Sequence, residues 1–127
     1  MATLTEEKFL LVQQYAGLLE TIQEAFEHIV VCFEELRYEG AINLWEDILL
    51  AFSQIDDSNS AISEQFVDNP ALLDCFDQFE EVLEATELLG KVDDIVMVQQ
   101  IISKKIYPVF EDWRNKIDQE IKPYYIF

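Results

Sequence analysis

The stretch LLVQQYAGLLETIQEAFEHIVVCFEEL, residues 10–36, decides the fold class. Leu11, Tyr15, Leu18, Ile22, Phe26, Ile29, Phe33 and Leu36 recur at steps of three or four, the period of one helical face, and Leu10, Leu19, Val30 and Val31 widen that face. Thr3 followed by Glu6 has the pattern of a capping box, and Glu6 and Glu7 suit the positive end of a helix dipole. The spacing therefore predicts a first helix over about residues 5–38.

The same period extends outward. Beyond a joint at Gly40, Ile42, Trp45, Leu49, Phe52 and Ile55 form a second stripe, which Ile62 and Phe66 resume after the polar run Asp56–Ser60. This predicts a helix over 41–66 with a weak centre. Asn69 and Pro70, a capping side chain before a first-turn proline, open a third helix over 70–89, with Leu72, Phe76, Phe79, Leu83 and Leu89 inward and Gly90 as its cap. A fourth, over 92–122, carries Ile95, Val98, Ile102, Ile106, Val109, Trp113, Ile117, Ile121 and Tyr124. Pro108 interrupts it, but the stripe keeps phase across the proline, which favours a kink over a break.

Short joints make consecutive helices antiparallel, so the expected fold is all-α: an antiparallel four-helix bundle of two helical hairpins, one domain over residues 1–127, with no sheet. A shift of 53 residues superposes Phe26 on Phe79, Glu27 on Glu80, Glu34 on Glu87 and Leu36 on Leu89, and Ile42 on Ile95 beyond the joint. Two hairpins of similar design account for this, and so does the period that any two amphipathic helices share.

Composition agrees. Half of the residues are apolar, enough for one core, while three Gly and three Pro are too few for many short strands joined by tight turns. Residues 1–90 hold 20 acidic side chains against Lys8 and Arg37, and residues 91–127 hold six of each sign. An acidic body of this kind repels nucleic-acid phosphate and anionic lipid, and steers a basic protein partner toward itself. Solubility alone also explains the charge. Cys32 and Cys75 make no CxxC pair and no disulfide framework, and their apolar neighbours predict buried, reduced thiols. The start, MATLTEEKF, has acid where a secretory signal has positive charge, and no apolar run reaches the length of a membrane span, so a cytoplasmic location is expected.

Residues that could carry chemistry do not assemble into a site. His28 is the only histidine; it stands one turn from Cys32, without a third group to orient it. Ala25 occupies the position where a di-iron bundle needs Glu before the histidine. Asp57, Asn59 and Glu64 fall short of a calcium loop, lacking Gly at its sixth position and Glu at its twelfth. Gly17, Gly40 and Gly90 are too dispersed to form a phosphate loop, and acidic runs such as Glu80-Glu81-Glu84-Glu87 are read as solvated helix faces. No catalytic residue, metal ligand or cofactor is therefore expected.

The stretch ELRYEGAINLWEDILLAFSQI, residues 35–55, resembles the hairpin joint of small acidic helical export chaperones and adaptors, the flagellar ones among them. The run ISKKIYPVFEDWRNKIDQEIKPYY, residues 102–125, resembles the end of small helical proteins of unknown function from Gram-positive bacteria. These resemblances imply a helical interaction protein and carry over no functional residue.

The expectation is a non-enzymatic chaperone, adaptor or regulator that grips a basic or amphipathic protein segment. The alternative is a bundle that holds a small molecule or metal in its core, as enzyme or sensor. The candidate partner surface is the apolar C-terminus: Trp113, Ile117, Ile121, Tyr124, Tyr125 and Phe127. These side chains either close the end of their own bundle or meet a second copy, as in a homodimer, or another partner.

Overall fold

The computed structural model describes residues 6–125, which form four helices and, among the described residues, no strand. Helix α1 spans Glu6–Glu34, α2 Tyr38–Ser63 and α3 Pro70–Thr86, the last extended by a 3-10 turn, Glu87–Leu89. The fourth helix is continuous in three pieces: α4 (Ile95–Ile101), a π-helical turn (Ile102–Ile106) and α5 (Tyr107–Tyr125). The expected first cap at Thr3 or Thr5 lies outside the described residues, as do Ile126 and Phe127. Neighbours follow chain order: α1 packs on α2, α2 on α3, α3 on α5, and α5 back on α1.

The buried seams obey a stricter period than the sequence stripes. In α1 the seam is Val12, Tyr15, Leu19, Ile22, Phe26, Ile29 and Phe33, and in α2 it is Ala41, Trp45, Ile48, Phe52, Ile55, Asn59 and Ile62. Steps of three and four alternate along both seams, with Cys32 buried in addition beside Phe33, the 3.5-residue repeat that keeps one seam facing a partner helix. Hence Leu11 and Leu18 are half-buried beside Val12 and Leu19, and Ala41 and Ile48 take the places expected for Ile42 and Leu49. Halfway along, each helix contributes one phenylalanine to a common layer. Phe26, Phe52, Phe79 and Phe110 are all at most 1% exposed, and Phe52 lies 6.1, 5.8 and 5.8 Å from the other three.

The first joint comes earlier than Gly40. Arg37 N–H donates to the carbonyl of Cys32 (2.8 Å) and Leu36 N–H to that of Phe33 (3.1 Å), the paired bonds of a Schellman cap, with Leu36 at φ 61 in the left-handed position. Leu36 therefore ends the helix and is 69% exposed, whereas the stripe had placed it in the core. Gly40 lies inside the first turn of α2. Glycine at the left-handed position would remove about 1–2 kcal/mol of steric cost against about 0.5–1 kcal/mol of added chain entropy. Leu36→Gly is thus expected to stabilise the fold by up to about 1 kcal/mol and raise the thermal midpoint by a few degrees. A lowered midpoint in a calorimetric scan would show that the leucine makes a contact worth more than its strain.

The second joint is as read. Asn69 Oδ1 accepts from Leu72 N–H (3.1 Å), and Pro70 holds the first helical position. Phe66 falls just beyond α2 yet stays buried. Gly90 follows the 3-10 turn with right-handed dihedrals, so α3 ends without the left-handed cap expected there.

The interruption near Pro108 takes the form of a π turn: Tyr107 N–H reaches back to the carbonyl of Ile102, five residues away. Proline cannot donate to the carbonyl four residues before it, and its ring would collide with that carbonyl, so a widened turn ahead of it relieves both problems. The extra residue shifts the inward face locally, at the one core position between Ile106 and Trp113. Phe110 accordingly fills the core where Val109 was expected, followed by Trp113, Ile117 and Ile121.

Candidate functional site

Trp113, Ile117, Ile121 and Tyr124 are used within the chain. Trp113, Ile117 and Ile121 are at most 4% exposed. Trp113 Nε1 donates to the carbonyl of Cys75 (2.7 Å), its ring lies 4.7 Å from Phe79, and α5 is thereby fastened to the middle of α3. Tyr124 is half-buried; its hydroxyl accepts from Asn69 Nδ2 (3.0 Å) and its ring meets Phe66 edge-on at 4.8 Å. Tyr125 ends α5, and Phe127 lies outside the described residues.

One polar pair is sealed into the lower half of the bundle. Asn59 is the one buried polar residue among the described residues, 6% exposed, on the α2 seam between Ile55 and Ile62. Its Oδ1 accepts from the Tyr15 hydroxyl (2.6 Å), while its Nδ2 has no partner among the described residues. Burial, then the nearby Cys75, pushes the Tyr15 hydroxyl well above its usual pKa and keeps it a neutral donor. Burial likewise raises the Cys75 thiol, helped by Glu120 and Asp74 and opposed by Lys116, and so disfavours the reactive thiolate. Both cysteines are free and buried, while His28 is exposed.

Asn59 also explains why the polar run Asp56–Ser60 stays helical. The asparagine turns inward to Tyr15, and Asp56, Asp57 and Ser60 face solvent. Above it opens a groove of about 500 Å³ between the C-terminal half of α2 and α3. Its walls carry Asp56 and Glu64 from the α2 side and Asp77 and Glu80 from α3; its apolar surface is Val67, Leu73 and Phe76. None of the four carboxylates is ion-paired among the described residues. The groove's size falls in the range of roughly 300–1,000 Å³ common for binding sites. A smaller cleft between α1 and α2, about 320 Å³, is lined without charge by Leu11, Gln14, Leu18, Gln54 and Ser58, among others.

Among the described residues no three His, Cys, Asp or Glu side chains are grouped to hold a metal ion, and no helix is long and apolar enough to cross a membrane. The groove can therefore offer apolar contact and unneutralised negative charge, the complement of a cation on an aliphatic stem. Reading along the chain missed it because its two walls lie on separate helices. Asn59, a polar residue on a core seam, was the available signal.

Together these features define an up-and-down helical bundle with an acidic groove on one flank. Residues 10–116 match the family described as Domain of unknown function (DUF8042), and the chain belongs to that family. No curated protein and no solved structure matches it.

Proposed function

We propose that this chain is a non-enzymatic interaction module, a chaperone, adaptor or regulator, that binds a basic segment of a protein partner. The observation that carries the reading is the groove between α2 and α3, where four carboxylates with no ion pair among the described residues flank an apolar floor. Charge of one sign around such a floor steers and selects a segment carrying Lys or Arg, whose aliphatic stems cover apolar surface while their heads meet carboxylates. The likeness of the first hairpin joint to export chaperones agrees with this reading.

Calorimetric titration tests it. A Lys/Leu peptide is expected to bind with an affinity that falls as salt is raised from low to physiological strength, because the wall charges are exposed and screened. A Glu/Leu peptide of equal length is expected not to bind. Equal binding of the two peptides, or of neither, would overturn the reading.

A further inference from the structure

We infer that the groove between α2 and α3 takes its basic segment in an extended conformation, with Asn59 Nδ2 donating to a main-chain carbonyl while a neighbouring Lys or Arg lies between the carboxylate walls. The inference rests on the reading just given and adds the partner's backbone to it.

Asn59 brings a buried amide to the lining of the groove. An amide side chain sends its oxygen and its NH₂ in diverging directions from one carbon. With Oδ1 held by Tyr15 on α1, the NH₂ diverges from that hydrogen bond. The groove takes its lining from α2, α3 and the joint between them, not from α1, and that lining includes Asn59 itself. A buried donor without an acceptor is uncommon in folded proteins, because its desolvation goes uncompensated. Asn59 Nδ2 is the one such side-chain atom found among the described residues, and Asn59 lines the groove walled by four carboxylates.

The chemistry of the occupant follows from what the site lacks. Four carboxylates need cationic donors, and Nδ2 needs an acceptor. A protonated polyamine supplies cations and no acceptor, and a bare metal ion supplies neither an acceptor nor apolar contact. A peptide bearing Lys or Arg supplies all three: a cation, an aliphatic stem for Val67, Leu73 and Phe76, and a carbonyl. The carbonyl must be free. Within a helix only the last four carbonyls are unengaged, whereas in an extended segment every carbonyl is available. Because Nδ2 is shielded in the free chain, engagement includes a small opening of the floor, which the unmade hydrogen bond favours.

The test uses the whole chain, isotopically labelled, with three probes at low salt: a blocked peptide alternating Lys and Leu, spermine, and a blocked Glu/Leu peptide. The Lys/Leu peptide is expected to move the Asn59 side-chain NH₂ resonances downfield, and to bind at least about tenfold tighter than spermine, the factor that one buried hydrogen bond supplies. Glu64→Gln and Asp77→Gln, both exposed and safe for folding, are each expected to weaken both cations by about fivefold. Asn59→Ser is expected to erase the preference for peptide over spermine while keeping the response to wall charge. If peptide and spermine bind alike and the Asn59 NH₂ signals stay still, or show only a bound water that the peptide does not displace, the inference falls while the reading of an acidic binding surface stands. If the Lys/Leu peptide does not bind at all, both fall. If groove resonances shift with protein concentration alone, the occupant is a second copy and the inference is overturned in its favour.

Discussion

Phe26→Ala is expected to cost about 3–5 kcal/mol of folding stability, the upper end for a single core truncation. The ring is fully buried and lies at the centre of the bundle's aromatic layer. It stacks on Tyr107 at 4.8 Å with planes 4° apart, meets Phe110 at 5.3 Å and Phe52 at 6.1 Å, and has Trp45 at 6.3 Å. Removing it deletes transfer free energy and opens a cavity that rigid rings on α2 and α5 cannot fill by rotation, so little of the loss is recovered. A domain of this size has about 5–15 kcal/mol in total, and the variant should be close to unfolding at physiological temperature. Urea denaturation checks it: the midpoint should fall sharply with the slope unchanged, while Leu50→Ala, at a site 63% exposed, should stay within about 0.5 kcal/mol of the parent. A Phe26→Ala loss as small as the Leu50→Ala loss would mean that the layer does not hold the bundle together.

Phe26 also shows how far the sequence could be read. Any helical register places it inward, because it lies on the stripe by both the 3.6 and the 3.5 count, and the same holds for Ile22, Ile29, Phe33, Phe52, Ile55, Phe79, Ile117 and Ile121. Residues at the margin of the stripe are decided by packing between helices, which one helix's pattern does not contain. That is why Val12 and Leu19 displaced Leu11 and Leu18. Two further departures have local causes. Leu36 took the left-handed position of the first joint, a place where glycine is the usual signal, and the nearby Gly40 drew the joint toward itself. The π turn ahead of Pro108 inserted one residue into the helical count and exchanged Val109 for Phe110. The groove is of another kind. Asp56 and Glu64 are separated from Asp77 and Glu80 by a joint, and only the packing of α2 on α3 brings the two pairs to opposite walls.

Trp113→Ala, the second large effect, bears on the C-terminal residues first considered as a partner surface. The indole is 4% exposed, packs on Phe79 and Phe110 at 4.7 and 6.1 Å, and donates Nε1–H to the Cys75 carbonyl. Truncation removes the largest side chain of α5, its cavity spans the α3–α5 contact, and a buried hydrogen bond goes with it. The expected loss is again about 3–5 kcal/mol. Trp113→Phe keeps much of the apolar volume and loses the N–H, so it should cost about 1–2 kcal/mol. The gradation separates the two roles these residues could have. If Trp113 closes its own bundle, both variants lose stability in that order, and the molecular mass from analytical ultracentrifugation is the same as for the parent. If it serves a contact between copies, Trp113→Ala instead lowers the mass of a dimer to that of a monomer, and the monomer unfolds at nearly the parental midpoint. A side chain that is already buried at 4% within one chain, with its only N–H satisfied there, has little left to give a second copy, so the first outcome is the expected one.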